Sequence, residues 1–376
     1  MPRFFFTLLL FAAAAFAATC EKKTAPLFSK GVYPLVFTEQ DFPLHPKTGT
    51  PMQTSADCRD CHKTVYDNWS KSRHRVALTN ELYRESHERE PSPWCVNCHA
   101  PLRLTGAEQK PYRGDEGISC LVCHARAGKI LTGAPPTKAE AHTYVIRPEF
   151  KDERMCENCH EFNFPTAATA MHEGEKFRYT AQPMQSTVEE YRASGYYGRV
   201  TCQGCHLFSG TADSHSFPGG HALERLKRDL RIEIARSDAN HITVRLFAQG
   251  IGHAFPTGDL FRTLRVRLLG ADGHAAEIEL RHQFELVPAA ERDANAPLKR
   301  RVKEETLPPP RLDYVSMREY TVPWPAAARS VSAELYMDYL DPLNTMTTHL
   351  SPRITRPLIL RQKFHLPPQR ADETKG

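Results

Sequence analysis

The feature that most constrains this chain is the spacing of its cysteines. Ten of its eleven cysteines fall into five Cys-x-x-Cys pairs, and a histidine directly follows each pair. Two thiols three residues apart on one helical turn reach both vinyl groups at one porphyrin edge, and the adjacent imidazole then faces the iron. The pattern predicts five covalently bound haem c groups. The thioether cysteines are Cys58 and Cys61, Cys95 and Cys98, Cys120 and Cys123, Cys156 and Cys159, and Cys202 and Cys205; the proximal ligands are His62, His99, His124, His160 and His206.

Other uses of paired cysteines fit this pattern poorly. Zinc ribbons contain Cys-x-x-Cys pairs but do not need a histidine directly after every pair. Disulfide redox motifs contain one such pair, and a disulfide framework does not repeat a two-residue gap throughout. The haem interpretation is therefore the one that accounts for both the cysteines and the histidines.

The N-terminus reads as an export signal. Residues 1–19 carry one basic residue, then an apolar run too short for a membrane span, then small residues. Cleavage after Ala17 leaves Cys20 as an unpaired thiol, whereas cleavage before Cys20 makes it the lipidated first residue. Both cuts predict an exported protein, on the periplasmic side of a bacterial membrane or at the cell surface, with residues 20–52 as an N-terminal tether.

The charge of the chain does not indicate a nucleic-acid partner. The formal net charge is +5 for the polypeptide, and two propionates on each haem would offset it. This balance lacks the basic excess of nucleic-acid-binding proteins. The charge therefore predicts no particular partner; other redox proteins are expected as partners because the motifs favour electron transfer.

The distribution of the motifs predicts an α + β chain of two domains. Residues 53–222 hold all five motifs but few long apolar runs, so we expect short helices and loops around a haem array that supplies the core. Residues 223–376 contain no cysteine and read as an antiparallel β-sandwich of about seven strands. The predicted strands are Arg231–Ala235, His241–Ala248, Leu264–Leu269, Ala276–Leu286, Val331–Tyr339 and Thr355–His365.

The first and third motifs also carry a family resemblance. The first continues as Lys63, Tyr66, Trp69, Ser72, His74 and Ala77, and the third follows Gly117-Ile118-Ser119. These patterns resemble the cytochrome c-554 family. Segments around Cys202–His206, Ser214–His221 and Gly252–Gly258 are similar to larger multihaem relatives. The resemblance spans residues 55–260 and implies closely stacked haems with two histidine ligands, sometimes with one haem lacking a sixth ligand. Cytochrome c-554 itself has four haems and no β-domain.

His74 is the distal-ligand candidate with the strongest argument. If residues 61–77 form one helix, His62 and His74 lie about 18 Å apart at 1.5 Å per residue. Two axial nitrogens on one iron lie only about 4 Å apart. His74 is therefore expected to ligate a haem other than that of His62, or else to be a surface residue.

The other distal candidates rest on local context and on the resemblance. His142 precedes the fourth motif, His172 lies in a polar stretch, and His253 lies in a Gly- and Pro-bounded turn between strands. One of His215 and His221, which flank a Phe-Pro-Gly-Gly turn, is expected to be a ligand. His87 is expected on a solvated face. His45, His241, His274, His282, His349 and His365 are expected on the surface or in strands.

The sequence is compatible with three functions. Electron transfer between a membrane donor and another redox protein is favoured, because six-coordinate haems leave no open iron site. A reductase with one five-coordinate haem, acting on a small nitrogen or sulfur oxyanion, is the enzymatic alternative. Pentahaem nitrite reductases have lysine in place of one motif histidine, and all five motifs here end in histidine. A structural subunit of a cytochrome filament or outer-membrane conduit is the third.

Overall fold

The protein has an α + β fold, as expected from the motif distribution. The computed structural model describes residues 35–104, 114–135, 141–170, 178–207, 215–258 and 260–367. Short helices and small sheets occupy the described residues before Leu223, and two antiparallel sheets follow from Leu230. Within this part of the chain, no helix has the length and hydrophobicity needed to cross a bilayer.

The described helices of the N-terminal region are short, and four of them end at a motif histidine. A proline at the first turn or a hydroxyl at the N-cap starts them: Pro93 begins one, and the Thr201 hydroxyl accepts a hydrogen bond from the Gly204 amide at 3.2 Å in another. The described helices are α1 Ala56–Arg59, α2 Lys63–Ser70, α3 Glu81–Arg89, α4 Pro93–His99, α5 Cys120–His124, α6 Arg154–His160, α7 Ala167–Ala170, α8 Thr187–Arg192, α9 Cys202–His206, α10 Leu223–Asp229, α11 Pro342–Thr347 and α12 Pro352–Thr355.

Small sheets tie these helices together. The first pairs β1 and β2 in parallel, the second has the order β3-β4-β5, and the third pairs β6 and β7. A small apolar cluster that includes Phe37, Leu102 and Leu121 packs beside the third motif. The strands are β1 Leu35–Phe37, β2 Leu102–Leu104, β3 Ala125–Arg126, β4 Lys129–Thr132, β5 Tyr144–Ile146, β6 Glu161–Pro165 and β7 Tyr179–Ser186.

The C-terminal region contains the main polypeptide core. Its five-stranded sheet has the order β12-β11-β10-β14-β15, and its three-stranded sheet has the order β13-β9-β8. Alternate apolar side chains of both sheets are buried in one cluster, for example Leu246 and Val266. The strands are β8 Leu230–Arg236, β9 His241–Gln249, β10 Thr263–Gly270, β11 Ala275–Leu286, β12 Lys299–Glu305, β13 Val315–Pro323, β14 Ser330–Asp338 and β15 Leu358–His365.

Details of the predicted elements differ from the structure. The described residues from 230 onward form eight strands, because β12 and β13 join the sheets although charged and polar residues dominate their sequences. The expected last strand starts at Leu358, since Thr355 ends α12. A continuous helix over residues 61–77 does not form: α2 ends at Ser70, and His74 lies in a series of turns.

Leu246→Ala should destabilise the β-domain. The side chain is 1% exposed in the shared core of the two sheets, so its removal loses apolar burial and leaves a cavity, at a cost of about 2–5 kcal/mol in the free energy of unfolding. Denaturant unfolding of the holoprotein followed by far-ultraviolet circular dichroism would measure it. Leu312→Ala, at a side chain 73% exposed, is the control and should change little; equal effects would contradict this packing.

Candidate functional site

The five motifs line one continuous cavity. It has a volume of about 1710 Å³, and all ten motif cysteines and all five motif histidines line it. Pockets for one small ligand usually have volumes of about 300–1,000 Å³, so this cavity has room for several groups. The ten motif cysteines form no disulfide bonds. The donor set and the space therefore fit several covalently attached haems.

Hydrogen bonds fix the orientation of most motif imidazoles. Nδ1 of His99 lies 2.8 Å from the Ala77 carbonyl oxygen, and Nδ1 of His124 lies 2.8 Å from that of Leu131. Nδ1 of His206 lies 2.7 Å from the Pro218 carbonyl oxygen. A carbonyl oxygen only accepts, so Nδ1 carries the proton and Nε2 keeps its lone pair free for a metal ion.

At His160, a side chain lies beside Nδ1 where three other motif histidines have a backbone carbonyl. Its Nδ1 lies 3.1 Å from the Gln185 amide nitrogen. Ligation at Nε2 would leave the proton on Nδ1, and rotation of the amide by a half turn presents Oε1 to it. The arrangement at the fourth motif is therefore compatible with the same use of Nε2.

Three motif histidines have a second histidine at the spacing that one metal ion requires. Metal–imidazole bonds are about 2.0 Å, so two rings on opposite sides of one ion have centroids about 6.3 Å apart. The ring centroids of His160 and His74 are 6.3 Å apart, and those of His124 and His215 are 6.3 Å apart. The rings of His206 and His253 are 6.4 Å apart and nearly parallel. Each pair leaves room for one iron atom between its rings.

Burial keeps these imidazoles neutral. Burial is the largest cause that lowers the pKa of His74, His124 and His253 to about 4 and that of His160 to about 3. Neighbouring histidines lower the pKa of His74 further. A neutral imidazole is the form that binds a metal ion. These four rings are thus available as ligands at neutral pH.

Close contacts between motifs define which sites are neighbours. The thiols of Cys58 and Cys120 are hydrogen-bonded to each other, which joins the first motif to the third. Equivalent thiol contacts join Cys98 to Cys159, and Cys156 to Cys202. The second and fifth motifs therefore both adjoin the fourth. The Cys159 thiol of the fourth motif also raises the pKa of Cys123 in the third motif.

Hydrogen bonds join the turn that carries His74 to the segment just before the third motif. The His74 carbonyl accepts a hydrogen bond from the Ile118 amide at 2.9 Å. The Trp69 indole donates to the Ile118 carbonyl at 2.8 Å. Gly117 has a φ of +58°, and a Cβ there would lie 2.4 Å from the His74 carbonyl oxygen, so this close approach requires glycine.

The segment from His215 to Pro218 contacts all three ring pairs. The Phe217 ring lies 4.2 Å from the His74 ring and 5.9 Å from the His215 ring, centroid to centroid. The Pro218 carbonyl oxygen is the partner of His206 described above. The sequence marks this turn by its Pro and Gly residues but does not reveal the packing role of Phe217.

His253 comes from the β-domain. It follows β9, its Nδ1 lies 2.7 Å from the Ala254 carbonyl oxygen, and the next residues are buried. The Tyr196 ring lies 3.5 Å from where a Gly252 Cβ would stand. This turn thus places an imidazole from the C-terminal region in the lining of the cavity.

His142 approaches the first motif. Burial lowers its pKa, and the next cause is the nearby His62. Its Nδ1 is buried and has no hydrogen-bond partner. His45 is also close and is only 9% exposed, so its expected surface position is wrong. The Lys47 amide donates to His45 Nδ1 at 3.3 Å, which leaves the proton of a neutral ring on Nε2.

Four other residues singled out in the sequence remain to be placed: His221, His87, His172 and Cys20. His221 lines the cavity, but its ring stacks on Tyr339 at 4.0 Å, and burial lowers its pKa to about 2. His87 is partly buried and stacks on Tyr83 at 5.2 Å, which corrects its expected place on a solvated face. His172 and Cys20 lie outside the described residues.

Comparisons with known proteins agree with this site. The family model for cytochrome c554 and c-prime matches residues 57–125. A solved structure, a penta-heme cytochrome c552 from Thermochromatium tepidum, matches with a TM-score of 0.63 and 20% identity, over 83% of this chain and 98% of that chain. No curated protein matches the chain in sequence. The family match confirms the predicted resemblance to the cytochrome c554 family over residues 57–125, and the structural neighbour confirms the α + β fold.

Gly117→Ala should displace His74 and destabilise the protein. The substitution adds the close contact with the His74 carbonyl to the strain of a positive φ, with overpacking costing about 1–3 kcal/mol. Thermal unfolding of the holoprotein would measure it. Gly49→Ala is the control, since Gly49 has a φ of +70° and nothing within 4 Å of its Cβ position. Equal losses for the two variants would show that backbone strain alone matters.

Proposed function

We propose that this protein carries electrons through five covalently bound haem c groups, between a membrane donor and another redox protein. It does so as an exported protein, on the periplasmic side of a membrane or at the cell surface. The observation that carries the proposal is the set of three histidine ring pairs at 6.3–6.4 Å. An iron with both axial positions taken by histidine can change oxidation state but has no open position for a substrate.

The proposed axial ligands follow from the ring positions. His74 completes the site of His160, His215 that of His124, and His253 that of His206. His142 is assigned to His62, because it is the neighbour whose Nδ1 has no competing contact. For His99 the remaining sequence candidates are His172 and His221.

The contacts between motifs support a continuous route across the cavity. Thiol neighbours connect the first motif to the third and the second and fifth motifs to the fourth. The Cys123 and Cys159 interaction connects the third to the fourth. The proposed route therefore runs from the first motif through the third and fourth to the fifth, with the second as a branch. The bound haems supply the redox chemistry, and the chain supplies their order and ligation.

The mature protein should carry five haems. Each motif offers two thioether cysteines and a proximal histidine, so the intact mass from a maturation-competent host should exceed that of the processed chain by five haem groups. Substituting both cysteines of the fifth motif, Cys202 and Cys205, with Ala should remove one haem from that mass. A wild-type mass with fewer than five would contradict the stoichiometry.

His74→Ala should leave all haems attached but change the spin state of one. The thioethers are untouched, whereas the ring opposite His160 is lost, so that iron becomes five-coordinate or water-ligated and its potential shifts. Spin-state marker bands in resonance Raman spectra and a potentiometric titration would detect this. His365→Ala, at an exposed strand residue, should leave both unchanged. A fully low-spin His74→Ala protein would make His74 a bystander.

Cys20→Ser tests the proposed lipid anchor. If Cys20 is acylated, the variant should move from the membrane fraction to the soluble periplasmic fraction, because the acyl chains provide the binding energy. Cell fractionation and the intact mass of the N-terminal peptide would show this. Unchanged fractionation would indicate attachment through a partner, or the ordinary signal cleavage after Ala17.

A further inference from the structure

A second cluster of metal-ligand side chains lies outside the haem cavity, where α8 meets β11 and β12. It consists of Glu190 on α8, His282 on β11 and Glu304 on β12, and we call it the Glu190 cluster. One ligand atom from each residue lies within 4.8 Å of those of the other two. His282 and Glu304 are direct partners in the antiparallel register. The cluster therefore joins the haem-binding region to the β-domain.

Two buried atoms in this cluster lack a hydrogen-bond partner. Glu190 is 7% exposed and His282 is 4% exposed. Oε1 of Glu190 and Nδ1 of His282 are both buried without a hydrogen bond. An unsatisfied buried polar group is costly. Oε1 of Glu190 faces His282 Nε2 at 3.7 Å, which is too long for a hydrogen bond. This buried oxygen therefore lacks a partner inside the cluster.

The other carboxylate oxygen of Glu190 is held firmly. The Thr257 hydroxyl donates to Glu190 Oε2 at 2.5 Å, and the Thr187 hydroxyl lies 2.9 Å from that of Thr257. Hydrogen bonds of this kind orient a metal-binding carboxylate and leave its second oxygen free. They also connect the cluster to Gln185, whose amide lies 3.3 Å from the Thr187 hydroxyl and contacts His160.

The charges around the cluster leave it able to take a cation. Burial raises the pKa of Glu190 to about 8, so without a cation this carboxyl holds a proton at neutral pH. Burial lowers the pKa of His282 to about 4, with Arg301 as the second cause. The Arg301 guanidinium lies 3.4 Å from the Glu304 carboxylate. The Glu161 carboxylate also raises the pKa of Glu190. With its carboxylates ionised, this group has three negative charges and one positive charge.

We propose that Glu190, His282 and Glu304 form a binding site for one divalent transition-metal cation of the zinc class. One imidazole nitrogen and two carboxylate oxygens suit such an ion, whereas Ca²⁺ prefers oxygen ligands alone. Ligand atoms at tetrahedral positions on one zinc ion lie about 3.4 Å apart, given bonds of about 2.0–2.1 Å. The three ligand atoms of the cluster lie within 4.8 Å of one another, so side-chain movements of roughly an ångström bring them to that spacing. The bound ion fastens α8 to the β-domain.

The experiment measures zinc in the intact holoprotein. Protein dialysed against a chelator is equilibrated with micromolar Zn²⁺, passed through gel filtration and analysed for zinc and iron by mass spectrometry. The wild type should retain one zinc ion per chain, and excess Ca²⁺ should not displace it. His282→Gln should abolish this binding, whereas His365→Gln, at an exposed strand residue, should retain it.

A surface variant keeps the test decisive if the buried variant fails to fold. The Glu304 side chain is 46% exposed, so Glu304→Gln should fold normally and weaken zinc binding by at least about tenfold. Its matched control is Glu319→Gln, at another strand side chain that is 46% exposed, which should bind zinc as the wild type does. Zinc absent from the wild type, or equal binding by the Glu304 and Glu319 variants, would overturn the proposal.

Discussion

The arrangement of the haem-binding region depends on paired imidazoles that line one cavity. A motif histidine fixed through Nδ1 can direct Nε2 to only one side of the cavity, and the second ring must then stand about 6.3 Å away. Three segments far apart in the sequence satisfy this distance, at His74, His215 and His253. Each pairing therefore connects two parts of the chain that secondary structure alone would leave separate.

This constraint explains why the helices and strands of the N-terminal region can be short. Its described apolar cluster is small, and the extensive core lies between the two sheets of the β-domain. The covalently bound groups and their ligands must provide the long-range contacts that a polypeptide core supplies elsewhere. The β-domain participates directly, since it contributes His253 to one ring pair. It is thus part of the site as well as a neighbouring module.

The sequence predicts the composition of the site better than its pairing. The motif residues, the α + β class and the general position of the sandwich follow from spacing and alternation. The strands β12 and β13 were missed because β12 is almost wholly charged and β13 buries few side chains. The continuous helix assumed over residues 61–77 in the distance argument does not form, since the chain turns after Ser70 to bring the His74 carbonyl against Ile118. Such contacts depend on tertiary packing that local propensity does not encode.

The buried positions of His45 and His282 illustrate the same limit. Neither has a sequence context that distinguishes it from a surface histidine, yet both are at most 9% exposed. His282 lies on β11, and its Nε2 is 3.7 Å from the carboxylate of Glu190 on α8. What decides the environment of a lone histidine is the element packed above it, and this is visible only in the folded chain.

The most direct test of the account is a low-temperature electron paramagnetic resonance spectrum of the fully oxidised wild-type protein, with each signal integrated against total haem iron. The three ring pairs predict low-spin ferric signals from at least three haems per chain. Mainly high-spin iron would contradict the account, because it would mean that the paired imidazoles do not close the axial positions.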